Sequence, residues 1–454
     1  MSLLKNNEYS DYLSSFEFLN AEDLTVDDGI LDYQFKFFES LINKLVKGEG
    51  LVFNTLFAKI SYLGLKFKLN KRLIFDLHLY RKEFENNFIK IDSIIWFRLG
   101  QYLLGQLLRL LTGDEQLAII NQRPSFNIRK TRFKGRKLFG RYSLISKRNS
   151  EEYIVIDEDN PEEELILRVD NLDVFKNSIK YINDKIDKKQ LPLTIELVYI
   201  NIDASNALIP DILIIEPDFL VDVTSIAECF KTTGGDARYY LINKYLPKPL
   251  NKYVTIGNIV NFFLDELMKN SSLEFEDLLF DIFHIDPIMF TLMKDAQVKE
   301  VIRTLKQHFA NLKKVIDKDF KHLGIEKDKC YLEPSFFSPI FGIQGRLDVF
   351  YQKDNNNEAA IIELKSGKLF RPNTYGLNTN HYTQTLLYEM LVKSVYGFKL
   401  KPLNYILYSV LDENNIRFAP SISAQQKEAI SIRNDIVILE DKIIEANDLP
   451  TFFK

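Results

Sequence analysis

The stretch from Glu333 to Val392 constrains this chain more than any other. Phe341 to Phe350 and Ala359 to Leu364 are rich in apolar and β-branched residues, and the polar tip Lys353-Asp354-Asn355-Asn356-Asn357 separates them. That pattern predicts a β-hairpin with a tip too long for a two-residue turn. Pairing the two strands around the tip brings Asp348 towards Glu363, with Lys365 two residues further on. Residues i and i+2 of a strand share a face, so Glu363 and Lys365 point one way and Leu364 points into the core. Two carboxylates and an ammonium on one wet face suit metal-assisted phosphodiester hydrolysis. Carboxylates hold the hard, oxygen-seeking ions Mg²⁺ or Mn²⁺, and such an ion lowers the pKa of its bound water towards about 7. The lysine would orient or deprotonate that water, or steady the developing charge. The plain alternative is a surface hairpin with an ion pair, because D-x(14)-E-x-K recurs by chance.

Three blocks in order carry a resemblance. Glu333, Ser338, Pro339, Gly342, Gly345, Arg346 and Asp348 form the first, and Glu363-Leu364-Lys365-Ser366-Gly367-Lys368 the second. His381, Gln384 and Tyr388 form the third. Together they resemble the PD-(D/E)XK nucleases of the RecB/Cas4/Dna2 type, most of all the Dna2 nuclease domain, over roughly residues 218–438. The resemblance implies an α/β fold with a restriction-endonuclease-like core, a mixed sheet flanked by helices. It implies Asp348, Glu363 and Lys365 as catalytic residues, and Asp348, Glu363, the Leu364 carbonyl and Asn261 around the metal. The helix Thr255 to Phe263 resembles the family helix whose histidine binds metal, but Asn261 stands at that position. An amide oxygen binds a hard metal without charge or imidazole, which bears on metal preference. Gln384 and Tyr388, at i and i+4, share a helix face. With His381, Arg346, Lys368 and Arg371 they form the expected DNA-contacting set.

The 454 residues allow two to four domains. We expect a mainly helical domain at 1–120, a β-rich, OB-like domain at 121–217 and the nuclease domain at 218–454. Tyr33, Phe37, Leu41 and Leu45 fall at helical spacing, Ile91 to Leu111 reads as a second long helix, and Leu65 to Leu79 fits strand or helix. The OB assignment follows from position in Dna2-like proteins. Asn127 to Arg148 holds nine Lys or Arg and no acid, with Phe133, Phe139 and Tyr142 interleaved. That mix suits single-stranded nucleic acid. The acidic run Glu151 to Glu164 follows at once, so cross-strand neutralisation is the competing reading. Ala424 to Ala446 reads as an amphipathic helix with Ile432, Ile436, Leu439 and Ile443 on one face, and its Arg433-Asn434 is also similar to the family.

A net charge of −4 leaves any nucleic-acid footprint local. Two cysteines, Cys229 and Cys330, exclude a disulfide framework and suit a reducing, cytoplasmic setting. No iron–sulfur cluster is expected, since it needs about four thiolates, and Cys229 reads as a core residue. Ile94 to Leu111 is interrupted by Arg98, Gln101, Gln106 and Arg109, so no membrane span is expected. The expected substrate is single-stranded or flap DNA. The chain lacks the G-x-x-x-x-G-K-(S/T) phosphate loop, so the resemblance implies a helicase in cis beyond residue 454 or in trans. The alternatives are a catalytically weakened single-strand-binding module, favoured by Asn261, and a Cas4 or defence-type nuclease.

Overall fold

The computed structural model describes residues 9–446 apart from 22–23, 52, 54, 86–91, 126–133, 232–233, 248–250, 354–357 and 371. The chain forms two compact units. One is Met1–Lys130 with Thr374–Gly376; the other is Thr131–Asn373 with Leu377–Lys454.

The first unit is helical: α1 (Ser10–Leu19), α2 (Asp28–Val46), α3 (Leu56–Lys66), α4 (Lys71–Glu85) and α5 (Ser93–Thr112). Local chemistry sets the ends. Asp27 accepts from Ile30 N, Thr55 from Ala58 N, and Asp92 from the N–H groups of Ile94 and Ile95. Gly113 ends α5 at φ +77°. The ambiguous stretch 65–79 is helical on both sides of a turn. Lys68 takes a left-handed φ, and Asn70 accepts from Leu73 N at the start of α4. Phe38, Leu41, Ile42, Trp96, Leu99 and Leu103 fill the core. Buried Gln34 donates to Phe97 O (3.0 Å) and accepts from Tyr80 (2.8 Å), so its amide is satisfied.

The second unit begins with strands β1 (Gly135–Lys147), β2 (Glu152–Asp157), β3 (Asn160–Arg168), β4 (Leu193–Ile202), β5 (Leu208–Ile209) and β6 (Ile212–Ile215). Helix α6 (Lys176–Asp187) lies between β3 and β4. Because β1 pairs with both β2 and β4, the sheet closes into the ring β1–β2–β3–β5–β4–β1, with β6 continuing along β4. Only β3–β5 is parallel. Closure removes exposed edges. The basic strand β1 is partly neutralised by neighbours: Lys137 pairs with Asp157 (2.8 Å), and Arg141 with Glu158 (3.1 Å) and Asp218. Residues 126–133, with the first part of the basic run, lie outside the described residues.

Next come β7 (Val221–Asp222), α7 (Val223–Glu228), α8 (Arg238–Tyr245), α9 (Lys252–Lys269), α10 (Leu279–Ile285), α11 (Pro287–Leu292) and α12 (Asp295–Lys314). A π-helical turn (Val315–Asp319) runs α12 into α13 (Phe320–His322). Strands β8 (Cys330–Leu332), β9 (Ser335–Ser338), β10 (Ile343–Arg346), β11 (Val349–Gln352) and β12 (Ala359–Lys365) precede α14 (Thr379–Tyr396). After it come β13 (Leu403–Tyr408), β14 (Ile416–Phe418) and α15 (Ser423–Glu445). Five strands make a mixed sheet in the order β14–β13–β12–β11–β8, and β7–β10–β9 make a small second sheet. β12 and β13 are parallel, with α14 as their crossover. From Tyr382 to Val392 α14 is buried on all sides, so it is an interior helix.

The expected hairpin is present, with Val349 opposite Ile362. Its first strand is not continuous, however. It breaks at Leu347-Asp348, and β10 pairs in the other sheet. The cause is a crossing of chains: Leu347 N donates to Pro334 O (3.1 Å), and Glu333 N donates to Asp348 O (3.0 Å).

One hydrophobic core joins the ring to the rest of the unit, running from Tyr142, Val155 and Leu197 through Ile226 and Ile343 to Leu391 and Ile436. Arg433 of α15 is buried at this junction. It donates to the carbonyls of Gly342 (3.0 Å), Glu216 (2.7 Å), Ile215 and Phe219. Gly342 sits at φ +61°, and a Cβ there would run into the Arg433 guanidinium.

Candidate active site

Strand β12 carries Glu363 and Lys365 on one face, as period-2 alternation requires. Lys365 Nζ lies 2.8 Å from Glu363 Oε1 and donates to Gln384 Oε1 at 2.9 Å. The break between β10 and β11 turns Asp348 towards this pair, and its Oδ2 accepts from Leu364 N at 2.6 Å. N–H and C=O of one strand residue point to the same edge, so the Leu364 carbonyl faces Asp348 too. The face is not wet as the sequence suggested. Glu363 is 2% exposed, and its Oε2 is buried without a hydrogen-bond partner.

Burial, and then repulsion from Glu363, push the Asp348 carboxyl up to about 8. Burial also raises Glu363, against the pull of Lys365. Burial works against the charge on Lys365, but Glu363 and Asp348 outweigh it and hold the ammonium above its ordinary range. Two acids crowded into one low-dielectric place favour a shared positive charge or a retained proton.

Gln384 and Tyr388 share one face of α14, as their spacing predicts, but they lie beneath the carboxylates and not at the surface. Gln384 donates to Tyr388 Oη (3.0 Å), and the Tyr388 hydroxyl donates to Arg346 O (2.8 Å). Tyr388 is 1% exposed. Between them they contact Lys365 and the carbonyl at the end of β10. Gly345 makes room for this, since a Cβ there would stand 2.9 Å from the Tyr388 ring. His381 is held neutral, its imidazole lowered to about 3 by burial and then by Lys365 and Lys231, and its Nδ1 lies 3.3 Å from Tyr408 Oη.

Arg346 is exposed and pairs with Glu333 at 3.1 Å. Lys368 is exposed beyond the end of β12. Arg371 lies outside the described residues. On α9, a Cβ at Gly257 would lie 3.5 Å from Ser366 Oγ. Two turns on, Asp265 is raised to about 6 by burial, then by Glu333 and, more weakly, Asp348. Asn261 is midway between them on the same helix face. Sequence reasoning passed over Asp265, which no local pattern marks, and gave no role to Thr224, whose Oγ1 lies 3.4 Å from Gln384 Nε2. Cys229 is buried, and desolvation pushes its thiol up to about 12. Among the described residues no group of three or more His, Cys, Asp or Glu side chains is arranged to hold a metal ion. None of their helices is long and apolar enough to cross a membrane.

No protein-family model matches the chain. It is 25% identical over 255 residues to the DNA replication ATP-dependent helicase/nuclease dna2 of Schizosaccharomyces pombe. The match takes in 52% of this chain and 18% of that protein, so the chain spans under a fifth of its relative's length. A crystal structure of a candidate exonuclease from Eubacterium rectale superposes with a TM-score of 0.34 at 13% identity, covering 51% of this chain and 84% of that one.

Proposed function

We propose that the chain is a metal-dependent DNA nuclease of the PD-(D/E)XK type that cuts single-stranded or flap DNA. The observation that carries this reading is the meeting of half-buried Asp348 with buried Glu363 beside a charged Lys365. The similarity to a helicase/nuclease supports it.

The donor set fits the ion. Two carboxylates and a peptide carbonyl are all oxygen, and Mg²⁺ is commonly bound through one or two carboxylates with its waters retained. Asp348, Glu363 and the Leu364 carbonyl would hold it, and the orphaned Glu363 Oε2 is a ligand atom in waiting. A bound Mg²⁺ or Mn²⁺ supplies Lewis-acid polarisation and a water acidic enough to attack phosphorus. Lys365, kept protonated by its carboxylate neighbours, donates to the attacking water or to a phosphate oxygen through Nζ. Gln384 and Tyr388 set the direction of that ammonium, and Arg346 and Lys368 meet backbone phosphates. We read the closed ring of β1–β5 as an OB-like barrel on the path of the strand. A helicase, in cis or in trans, would feed it.

The test is a 5′-tailed duplex incubated with Mg²⁺ or Mn²⁺. The wild-type chain cuts it, and Glu363→Gln and Lys365→Ala do not; undiminished cutting by either variant ends the proposal. Asn261 favours a second reading, a single-strand-binding module with weakened catalysis. That protein would bind a labelled strand and cut nothing in either metal.

A further inference from the structure

The small sheet has two faces of opposite character. Its strands β9 and β10 are antiparallel, with Phe337 opposite Gln344, Phe336 opposite Gly345 and Ser335 opposite Arg346. Directly opposed residues share a face, and so do residues i and i+2 of one strand. One face therefore carries Phe336, Ser338, Ile343 and Gly345. It is the inner one: Ser338 and Ile343 are buried, and Phe336 packs on Phe350 at 5.9 Å and Tyr396 at 6.0 Å. The other face carries Ser335, Phe337, Gln344 and Arg346, all exposed.

Phe337 is the odd member of that outer face, a ring left 63% exposed among polar neighbours. Arg346 lies diagonally across from it, and such neighbours are about 7–8 Å apart, within reach of aromatic and long side chains. The Arg346 side chain stays 62% exposed while it pairs with Glu333 at 3.1 Å. It ends β10, two residues before Asp348, whose Oδ2 accepts from Leu364 N in the candidate site. The third strand adds Asp222 beside Gln344; its carboxylate is occupied in capping α7, where it accepts from Ser225 N at 3.1 Å. Along the direction of β10, the outer face thus presents a ring at Phe337, a cation at Arg346 and then the acids of the candidate site.

That order suits a single strand. An unpaired base offers a π-face to a ring, its phosphate offers charge to a guanidinium, and rings on an open sheet beside cations hold single strands in this way. We propose that Phe337 is a stacking platform for an unpaired base of the strand, next to the phosphate that meets Arg346. The proposal rests on the nuclease reading and deepens it, because it places the preference for an unpaired strand on the outer face of β9 and β10 and not on the acids.

The experiment measures binding of a labelled single-stranded oligonucleotide to the full chain in EDTA, across a salt series, and its cutting separately with Mg²⁺. Loss of one stacked base predicts that Phe337→Ala and Phe337→Leu raise Kd by about tenfold, with the salt slope unchanged because no phosphate contact is lost. Phe337→Trp should bind at least as tightly as wild type. Arg346→Ala should instead reduce the salt slope by about one. A strand of the same length built only of abasic residues keeps its phosphates, and wild type and Phe337→Ala should bind it alike. A wild-type Kd in Phe337→Ala overturns the proposal and assigns the ring to a protein partner instead. Full binding by Phe337→Leu overturns it too, as does a tenfold loss that persists on the abasic strand. If wild type cuts the strand and Phe337→Ala binds it normally, the platform falls alone. If wild type binds and does not cut, while the Phe337 variants behave as stated, the nuclease reading falls and the platform stands. If wild type binds no single strand, the platform falls as well.

Discussion

At Arg433 the protein buries a guanidinium and surrounds it with four backbone carbonyls and the Asn434 amide oxygen. At Asp348 and Glu363 it sets a half-buried acid against a buried one and leaves one oxygen of Glu363 without a partner. The first place is satisfied and binds the ring to the core. The second is left wanting a cation. Buried charge is tolerated when fully hydrogen-bonded and is costly otherwise, and the unfinished network is the one to which we assign the proposed chemistry.

The largest expected effect tests the satisfied side. Arg433→Leu strips the partner from several buried carbonyls and should cost about 3–5 kcal/mol, read from urea denaturation. Loss of less than about 1 kcal/mol would erase the contrast. On the unsatisfied side, Lys365→Ala should lower kcat by about 10²–10³-fold and lower the urea midpoint as well, because it takes the ammonium away from two crowded acids. Gly345→Ala sharpens the boundary between the two. Its methyl group presses on Tyr388, and overpacking of this kind costs about 1–3 kcal/mol; cleavage should fall along with stability.

The last effect is a slope. Burial and the neighbouring Glu363 raise the Asp348 carboxyl above its ordinary 3.8 in the folded chain. The folded state thus binds more protons than the unfolded one above that value, and stability without metal falls as pH rises from the ordinary carboxylate range through the raised one. Asp348→Asn should flatten the fall, and saturating Mg²⁺ should reduce it. A wild-type protein equally stable across the window in the absence of metal would contradict the raised carboxyl.

The sequence carried the local part of this site and missed the distant part. The hairpin, the shared face of Glu363 and Lys365, and the shared face of Gln384 and Tyr388 all follow from strand and helix periods. The break at Asp348 does not, because it comes from Glu333 and Pro334 crossing from another strand. Nor does the burial of Gln384 and Tyr388, which depends on α14 being covered on every side. Arg433 was marked only by its similarity to the family; three of its four carbonyl partners are more than 200 positions upstream, and the fourth, Gly342, is 91. The expected boundary near residue 217 is crossed by a single core, whose side chains come from both stretches. Asp265 reaches the site from a helix with no periodic mark that points there.

The parallel pairing of β12 with β13 carries a consequence for synthesis. A parallel neighbour cannot form until its crossover has been made, so β12 gains its second neighbour only after Tyr408 has emerged. The closed ring emerges much earlier and then waits for α15 to supply Arg433. On the ribosome the sheet that carries the groups proposed to cut nucleic acid would thus be completed only after Tyr408 has emerged.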